Sequence, residues 1–445
     1  MAIDTRWETT RTYLDDPGAG DGEWFEAVHG VHQRMLQEID LSAIERLDAA
    51  RAREAVKVAA RQLVVQQFPS LLGDDREHVI KRVVDEAIGF GPVQALIDDD
   101  SVSEVMVNAP DEIFFERDGI IYLSPLRFKD APHIMRIIER IIAPLGRRVD
   151  ESSPYVDARL PDGSRVNIVI PPLVPRSPTI TIRKFRREKF KIADLVANGT
   201  MTQPIADFLR ACVAQRLNVA ISGGTGTGKT TLLNALSNYI PNSERVITIE
   251  DPIEMKLQQT HVIAMEARPP NIEGKNEVTQ RDLVRNALRM RPDRIIVGEV
   301  RGAEAFDMLQ AMNTGHEGSL TTIHANSPRD ALIRVENMVM MAGFDLPVRA
   351  IREQIAAALH IIVQIARFSD GRRRVTHITE ITGCGGDTVT TQDLFVFRRH
   401  HVDADGHISG VLEPTGAAPT FAATFARDGV TLEMGTGVMG DGAQP

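Results

Sequence analysis

Residues 223–230 read Gly223-Gly224-Thr225-Gly226-Thr227-Gly228-Lys229-Thr230 and match the pattern G-x-x-x-x-G-K-[ST] at every defined position. An apolar segment, Asn218–Ser222, precedes this loop, and a helical pattern follows it. Glycines let backbone N–H groups converge on phosphate oxygens, and the helix directs its positive end at the anion. We expect Lys229 to contact the β- and γ-phosphates, Thr230 to offer its hydroxyl to Mg²⁺, and Thr231 to belong to the same site.

Other interpretations of this loop are disfavoured. A glycine-rich turn without a ligand would not need every position of the motif between a strand and a helix. A dinucleotide fingerprint is excluded, because Lys229 stands where G-x-G-x-x-G needs its last glycine. A GTPase would need Asn-Lys-x-Asp to read guanine, and the sequence lacks it. A small-molecule kinase would usually be shorter, with lid arginines after the loop.

Apolar strand-like segments alternate with helical segments from about residue 192 onward. These segments are Arg245–Glu250, Arg294–Val297 and Ser319–Ile323. The alternation predicts an α/β layered domain with a parallel core. Two later strands, His377–Ile381 and Asp393–Phe397, are predicted to be peripheral.

Two acidic segments follow the phosphate loop. Glu250, Asp251 and Glu254 come at the end of a predicted strand, where α/β sheets place their ligands. Carboxylates this close repel one another unless a cation or water shares the site, although a solvated acidic turn is the alternative. The strand Arg294–Val297 continues through Gly298 to Glu299, which has the form of a Walker B strand with Glu where Asp is commoner. Its alternative is a buried strand with an ordinary terminal glutamate.

His316 and His324 flank the next strand-like segment. They lack cysteine partners and zinc-ligand spacing, so a zinc site is not predicted. As an isolated pair they would be structural. A histidine at a strand end near a γ-phosphate could instead sense or stabilise the transferring charge.

The N-terminal half has a different hydrophobic pattern, in which helical periodicity comes first and short strand-like segments follow. The turn signal Asp118-Gly119 joins two of those strands. The predicted organisation is a helical module with a flexible start at 1–97, an α+β domain at 98–185, a linker at 186–191, the α/β domain at 192–400, and a C-terminal extension of unknown role at 401–445.

Composition narrows the class of protein. The chain has 445 residues, of which 43% are hydrophobic and 25% charged, so it is globular with about two or three domains. A net charge of −10 argues against a general nucleic-acid binder. Two cysteines cannot build a disulfide framework. With no leader-like start and no apolar run of about 20 residues, we expect a cytoplasmic protein that reaches a membrane only through partners.

These motifs, in this order, resemble the type II/type IV secretion ATPase superfamily. They correspond to its Walker A (Gly223–Thr230), aspartate box (Thr248–Glu254), atypical Walker B (Ile295–Glu299) and histidine box (Gly315–His324). The sequence is most similar to the tight-adherence (Flp) pilus assembly ATPases of the CpaF/TadA type. That similarity is carried by Ser103–Asn108, Leu145–Pro154, Asp157–Asn167, Arg285–Asp293 and Gln310–His316.

The resemblance implies a hexameric, Mg²⁺-dependent ATP-hydrolysing motor with a C-terminal RecA-like P-loop domain, a smaller α+β domain and an N-terminal helical module. It implies that the protein is cytoplasmic and binds the inner-membrane platform proteins of a pilus or secretion machine. It assigns Glu254 as the base that activates water, Glu299 as the Walker B acid near Mg²⁺, and His324 as the γ-phosphate sensor, with His316 as the second candidate. N-terminal arginines would close over the phosphates. By motif position these are Arg165 and Arg183, with Arg159 behind them.

Some features leave the subclass open. The sequence Ile253-Glu254 after Asp251-Pro252 is common in pilus extension and retraction motors. The paired C-x-x-C zinc module of many general-secretion relatives is absent from this sequence. Three alternatives remain: a type IV secretion ATPase of a conjugation-like system, a nucleotide-gated scaffold with little turnover, and a nucleic-acid translocase. Retention of Lys229, Glu254 and Glu299 argues against the scaffold. The acidic balance argues against the translocase.

Overall fold

A computed structural model describes residues 22–38, 48–117, 120–185, 190–270, 275–403, 406, 408–430 and 437–438. The chain divides into two compact units, 1–187 and 188–445, which are described separately. The start predicted to be flexible, the predicted Asp118-Gly119 turn and residues 186–189 of the predicted linker lie outside the described residues.

The first unit begins with a helical module. Its long helices, among the residues that the structure describes, are α1 (Gly22–Glu38), α2 (Ala49–Gln67) and α3 (Gly73–Ile88). They pack through buried apolar side chains at helical spacing, among them Val31, Val64 and Val83. The short helix α4 (Gln94–Asp98) leads into the sheet.

A six-stranded antiparallel sheet completes the first unit. Its strands are β1 (Val102–Ala109), β2 (Glu112–Arg117), β3 (Ile120–Leu123), β4 (Tyr155–Arg159), β5 (Arg165–Val169) and β6 (Thr179–Arg183), in the order β3-β2-β1-β6-β5-β4. Helix α5 (Ala131–Ile142) covers the apolar face with a stripe of buried isoleucines that includes Ile134, Ile138 and Ile141. Asp130 caps this helix by accepting the N–H of His133.

The second unit is built on a ten-stranded sheet. The order is β16-β15-β14-β13-β12-β7-β11-β10-β8-β9, and the strands from β12 to β9 are parallel. The strands are β7 (Val219–Gly223), β8 (Val246–Glu250), β9 (Val262–Glu266), β10 (Arg294–Val300), β11 (Leu320–His324), β12 (Ile361–Arg367), β13 (Arg373–Gly385), β14 (Thr388–Val402), β15 (Ile408–Pro414) and β16 (Gly437–Val438). The predicted α/β domain with a parallel core is confirmed.

Helices cover both faces of the parallel strands, and two separate apolar clusters lie against the sheet. The helices are α6 (Ile192–Ala197), α7 (Gln203–Ala214), α8 (Lys229–Ser237), α9 (Gln280–Ala287), α10 (Glu304–Asn313), α11 (Pro328–Met341), α12 (Val348–Ala358) and α13 (Ala422–Arg427). No helix among the described residues is long and apolar enough to cross a membrane.

The late strands differ from the sequence-based expectation. They were predicted to be peripheral, but β13 and β14 extend the main sheet, and Ile378 and Phe395 are fully buried in its core. The boundary predicted at residue 400 falls inside β14. Beyond it, Phe425 of α13 is buried in the same core, and Glu380 accepts the backbone N–H of Thr420. Residues 408–430 are therefore an integral part of this unit.

A buried ion pair holds the amino-terminal edge of the parallel strands. Arg294, which is fully buried, donates from Nε and Nη2 to the Glu244 carboxylate at 2.6 and 3.2 Å. Its Nη1 donates to the carbonyl oxygens of Val213 and Gly318 at 2.7 and 3.2 Å. One guanidinium thus joins the loop before β8, the end of α7 and the loop before β11.

We expect Arg294→Ala to lower the free energy of unfolding by about 3–5 kcal/mol, because it leaves the buried Glu244 carboxylate without its main partner. Arg349→Ala is the matched control, since Arg349 forms an exposed pair with Glu353 and its loss should cost at most about 0.5 kcal/mol. Urea unfolding of both variants measures the difference. Equal effects of the two substitutions would contradict this account of Arg294.

Candidate nucleotide site

The phosphate loop connects β7 to α8 at the carboxyl edge of the parallel strands. Gly226 and Gly228 have φ of +70° and +94°, which L side chains rarely adopt. A Cβ on Gly223 would lie 2.5 Å from the carbonyl oxygen of Ile365 on β12, so only glycine allows this close approach. The loop thus has the glycine geometry of a phosphate cradle at the start of a nine-residue helix.

Lys229 begins α8 and lies over the loop. Its Nζ donates to the carbonyl oxygen of Gly224 at 2.9 Å, and its side chain is largely buried. Thr227 donates to the same carbonyl at 2.9 Å. Thr230 and Thr231 follow in the first turn of the helix and are half-buried. The lysine charge is thus held at the mouth of the cradle, where a phosphate oxygen could replace the carbonyl.

The acidic segment after β8 is organised by Glu250. Its buried carboxylate accepts the backbone N–H groups of Glu254 and Met255 at 2.7 and 2.8 Å, and the Thr248 hydroxyl at 3.1 Å. Burial raises the pKa of Glu250, and these hydrogen bonds oppose that rise. Glu250 therefore fixes the turn that carries the half-buried Glu254.

Gly298 and Glu299 lie on β10, beside β8. A Cβ on Gly298 would lie 3.0 Å from Cγ of Glu250, so the glycine makes room for that carboxylate. Glu299 accepts from Nε of Arg301 at 2.9 Å. The predicted Walker B acid thus has an arginine partner that the sequence analysis did not identify.

His324 ends β11, and its register partner on β7 is Gly223. The first glycine of the cradle and the histidine therefore lie side by side. Burial lowers the pKa of the His324 imidazole, the positive charge of Lys229 lowers it further, and Glu299 acts in the opposite direction. The structure thus brings Lys229, Glu299 and His324 together at one edge of the sheet.

His316 lies elsewhere. It precedes Leu320, the first residue of β11, and so belongs to the opposite edge of the sheet from His324. Its carbonyl accepts the hydroxyl of Ser319. Within one subunit the structure does not bring His316 to the phosphate loop, so its assignment stays a prediction without support from this geometry.

Arg373 is a site residue that the sequence analysis missed. It begins β13, and its Nε donates to the carbonyl oxygen of Gly226 at 3.0 Å. Arg367 is its cross-strand neighbour on β12. Three consecutive arginines, Arg372 to Arg374, were the available signal, but only the pairing of β12 with β13 shows that one of them reaches the loop.

The three predicted N-terminal arginines align in the first unit. Arg159 is opposite Arg165 in the β4–β5 register, and Arg165 is opposite Arg183 in the β5–β6 register. Residues directly opposite one another share a face of the sheet, and like charges in that position are destabilising. The contact of these arginines with nucleotide stays a prediction.

The residues present fit a magnesium nucleotide. A glycine cradle, a lysine, a threonine hydroxyl and a nearby carboxylate are the groups that hold phosphates with Mg²⁺. Among the described residues, no cluster of three or more His, Cys, Asp or Glu side chains could hold a metal ion on its own. Thr230 and Glu299 would hold Mg²⁺ together with the phosphates of the nucleotide.

Proteins with similar sequences identify the family of this chain. Residues 86–400 match the family described as "Type II/IV secretion system protein". A putative conjugal transfer protein of Mycobacterium tuberculosis is 37% identical over 323 residues, which cover 71% of this chain and 91% of that protein. Conjugal transfer protein TrbB of Rhizobium radiobacter is 32% identical over 317 residues, covering 70% and 92%.

A solved structure is also similar. The VirB11 ATPase from the Brucella suis type IV secretion system, crystallised with sulphate, is 29% identical, with coverage of 64% of this chain and 94% of that chain and a TM-score of 0.35. The family match spans more than half of the chain, and it includes the phosphate loop, the two acidic segments and the histidine segment described above. The chain belongs to the type II/IV secretion system protein family and is a P-loop ATPase.

Proposed function

We propose that this ATPase is the motor of a bacterial pilus assembly or secretion machine, working as a homo-hexamer with Mg²⁺ and ATP. The observation that carries the proposal is the convergence of Lys229, Glu299 and His324 beside a complete phosphate cradle. A scaffold that only binds nucleotide has no need for a charged acid and a histidine at the cradle. Turnover does need them, because both can act on the water and the charge of the transferring phosphoryl group.

In this proposal the residues have separate roles. The cradle and Lys229 bind the phosphates, while Thr230 and Glu299 hold Mg²⁺ directly or through water. Glu254 orients the attacking water, and its backbone is fixed by Glu250. His324 responds to the γ-phosphate. Its neutral form is favoured by burial and by Lys229, so it can act as a hydrogen-bond partner without adding a second positive charge.

For the machine, we propose a tight-adherence pilus system whose inner-membrane platform proteins hold the motor at the cytoplasmic face. The segments Ser103–Asn108 and Leu145–Pro154 support that subclass. A conjugation-like type IV secretion system is the second candidate. It is favoured by the relatives that are named as conjugal transfer proteins, because this chain matches about nine-tenths of their length. Deletion of the gene distinguishes them: loss of surface pili supports the first, and loss of DNA transfer with pili intact supports the second.

Lys229→Ala should reduce ATP hydrolysis by at least about 10²-fold, because one preorganised charge on the phosphates is removed. The fold should persist, since the Nζ of Lys229 contacts a loop carbonyl rather than the core. Phosphate release and circular dichroism measure the two effects, with the exposed Lys191→Ala as control. Full activity in a folded Lys229→Ala protein would refute the phosphate-loop assignment.

Glu254→Gln and Glu299→Gln should separate binding from turnover. Each substitution keeps the shape but removes a carboxylate that orients water or Mg²⁺, so turnover should fall by at least about 10²-fold while ATP still binds. Glu353→Gln is the matched control, because Glu353 lies in an exposed helix pair. Calorimetry and single-turnover hydrolysis provide the measurements. Loss of ATP binding would show that the two glutamates are structural.

Arg183→Ala should lower turnover without preventing hexamer formation, because we propose that Arg183 contacts phosphate when the two units close on nucleotide. Arg176→Ala is the matched control, since Arg176 is an exposed arginine of the same unit paired with Glu112. Mass measurement and scattering with an ATP analogue and with ADP test the assembly and its change of shape. A monomer of unchanging shape in every nucleotide state would refute both the ring and the closure.

A further inference from the structure

The row of arginines in the first unit continues into two glutamates. Glu104 of β1 is opposite Arg183 of β6, and Glu116 of β2 is opposite Glu104. Across five neighbouring strands the row reads Arg159, Arg165, Arg183, Glu104 and Glu116. The sign of the charge changes between Arg183 and Glu104.

Arg183 occupies the boundary of this row. On one side it faces Arg165, which repels it, and on the other side it faces a carboxylate, which attracts it. Its Nε lies 3.6 Å from Oε1 of Glu104, which is an ion pair longer than a normal hydrogen bond. The side chains are 55% and 33% exposed, so both remain accessible to solvent.

The Glu104 carboxylate is held weakly. Burial raises its pKa, Arg183 lowers it, and the neighbouring Glu116 raises it again. Glu116 itself accepts the hydroxyl of Ser103 at 2.9 Å. A partly exposed pair at this distance stabilises little and exchanges readily for a better partner of the arginine.

We propose that Glu104 is a positioning residue that holds Arg183 when no nucleotide is bound and competes with the nucleotide phosphates for it. The inference rests on the proposed contact between Arg183 and phosphate. The exchange lowers the affinity for nucleotide modestly and gives Arg183 a partner to return to after hydrolysis. It follows that removing the charge of Glu104 strengthens nucleotide binding, and that it does so only through Arg183.

The test measures dissociation constants of the full chain for a non-hydrolysable ATP analogue and for ADP. Glu104→Gln should tighten binding of the analogue by about twofold to fivefold, the range expected for a partly exposed ion pair. The gain should be smaller for ADP, which carries less phosphate charge. Glu104→Asp keeps the charge on a shorter side chain and should give a smaller gain than Glu104→Gln.

A double-mutant cycle isolates the route through Arg183. In an Arg183→Ala background, Glu104→Gln should leave the dissociation constant unchanged. Glu112→Gln is the matched control, because Glu112 is a strand glutamate of the same unit, 36% exposed and paired with Arg176. It should change neither constant.

The outcomes separate this inference from the proposed function. If Lys229→Ala abolishes hydrolysis while Glu104→Gln leaves binding unchanged or weakens it, the motor assignment holds and the role of Glu104 is refuted. The same gain with and without Arg183 would also refute it, because the effect would then be a general change of charge. Undiminished hydrolysis in Lys229→Ala would refute the proposed function irrespective of Glu104.

Discussion

The pairing of β7 with β11 is the constraint on which the site depends. Parallel register sets His324 opposite Gly223, so the end of one strand meets the start of the phosphate loop on the next. Because the carboxyl ends of parallel strands share an edge, Glu250 and Glu299 arrive at that edge on β8 and β10. A shift of one residue in this register would exchange the faces of β11 and remove the histidine from the loop.

The two edges of the parallel sheet stabilise buried charged side chains in different ways. At the amino-terminal edge, Arg294 and Glu244 neutralise each other in a buried pair with further carbonyl contacts. At the carboxyl edge, Glu250 is buried with hydrogen bonds from backbone N–H groups and a hydroxyl, which hold the carboxylate in place. The first arrangement serves packing, whereas the second fixes the turn that carries Glu254.

Sequence reasoning predicted the parts of this architecture that depend on local pattern. The phosphate loop and the buried strands around it follow from residue type and spacing. The contact of Arg373 with Gly226 and the partnership of Arg301 with Glu299 do not, because each depends on side-chain placement at the assembled sheet edge. The late strands were judged peripheral for a related reason: burial of Ile378 and Phe395 is provided by helices far away in sequence.

Charged groups on both units already have partners within the protein. Lys229 donates to a loop carbonyl, Glu299 accepts from Arg301, and Arg183 lies beside Glu104. A phosphate bound by Lys229 would therefore replace the loop carbonyl as its partner, and only the difference between the two contacts would contribute to affinity. An enzyme that must release its product in every cycle benefits from a small difference, because phosphate contacts without a competing partner would slow the release of ADP. Internal partners at the cradle thus favour turnover over tight storage of nucleotide.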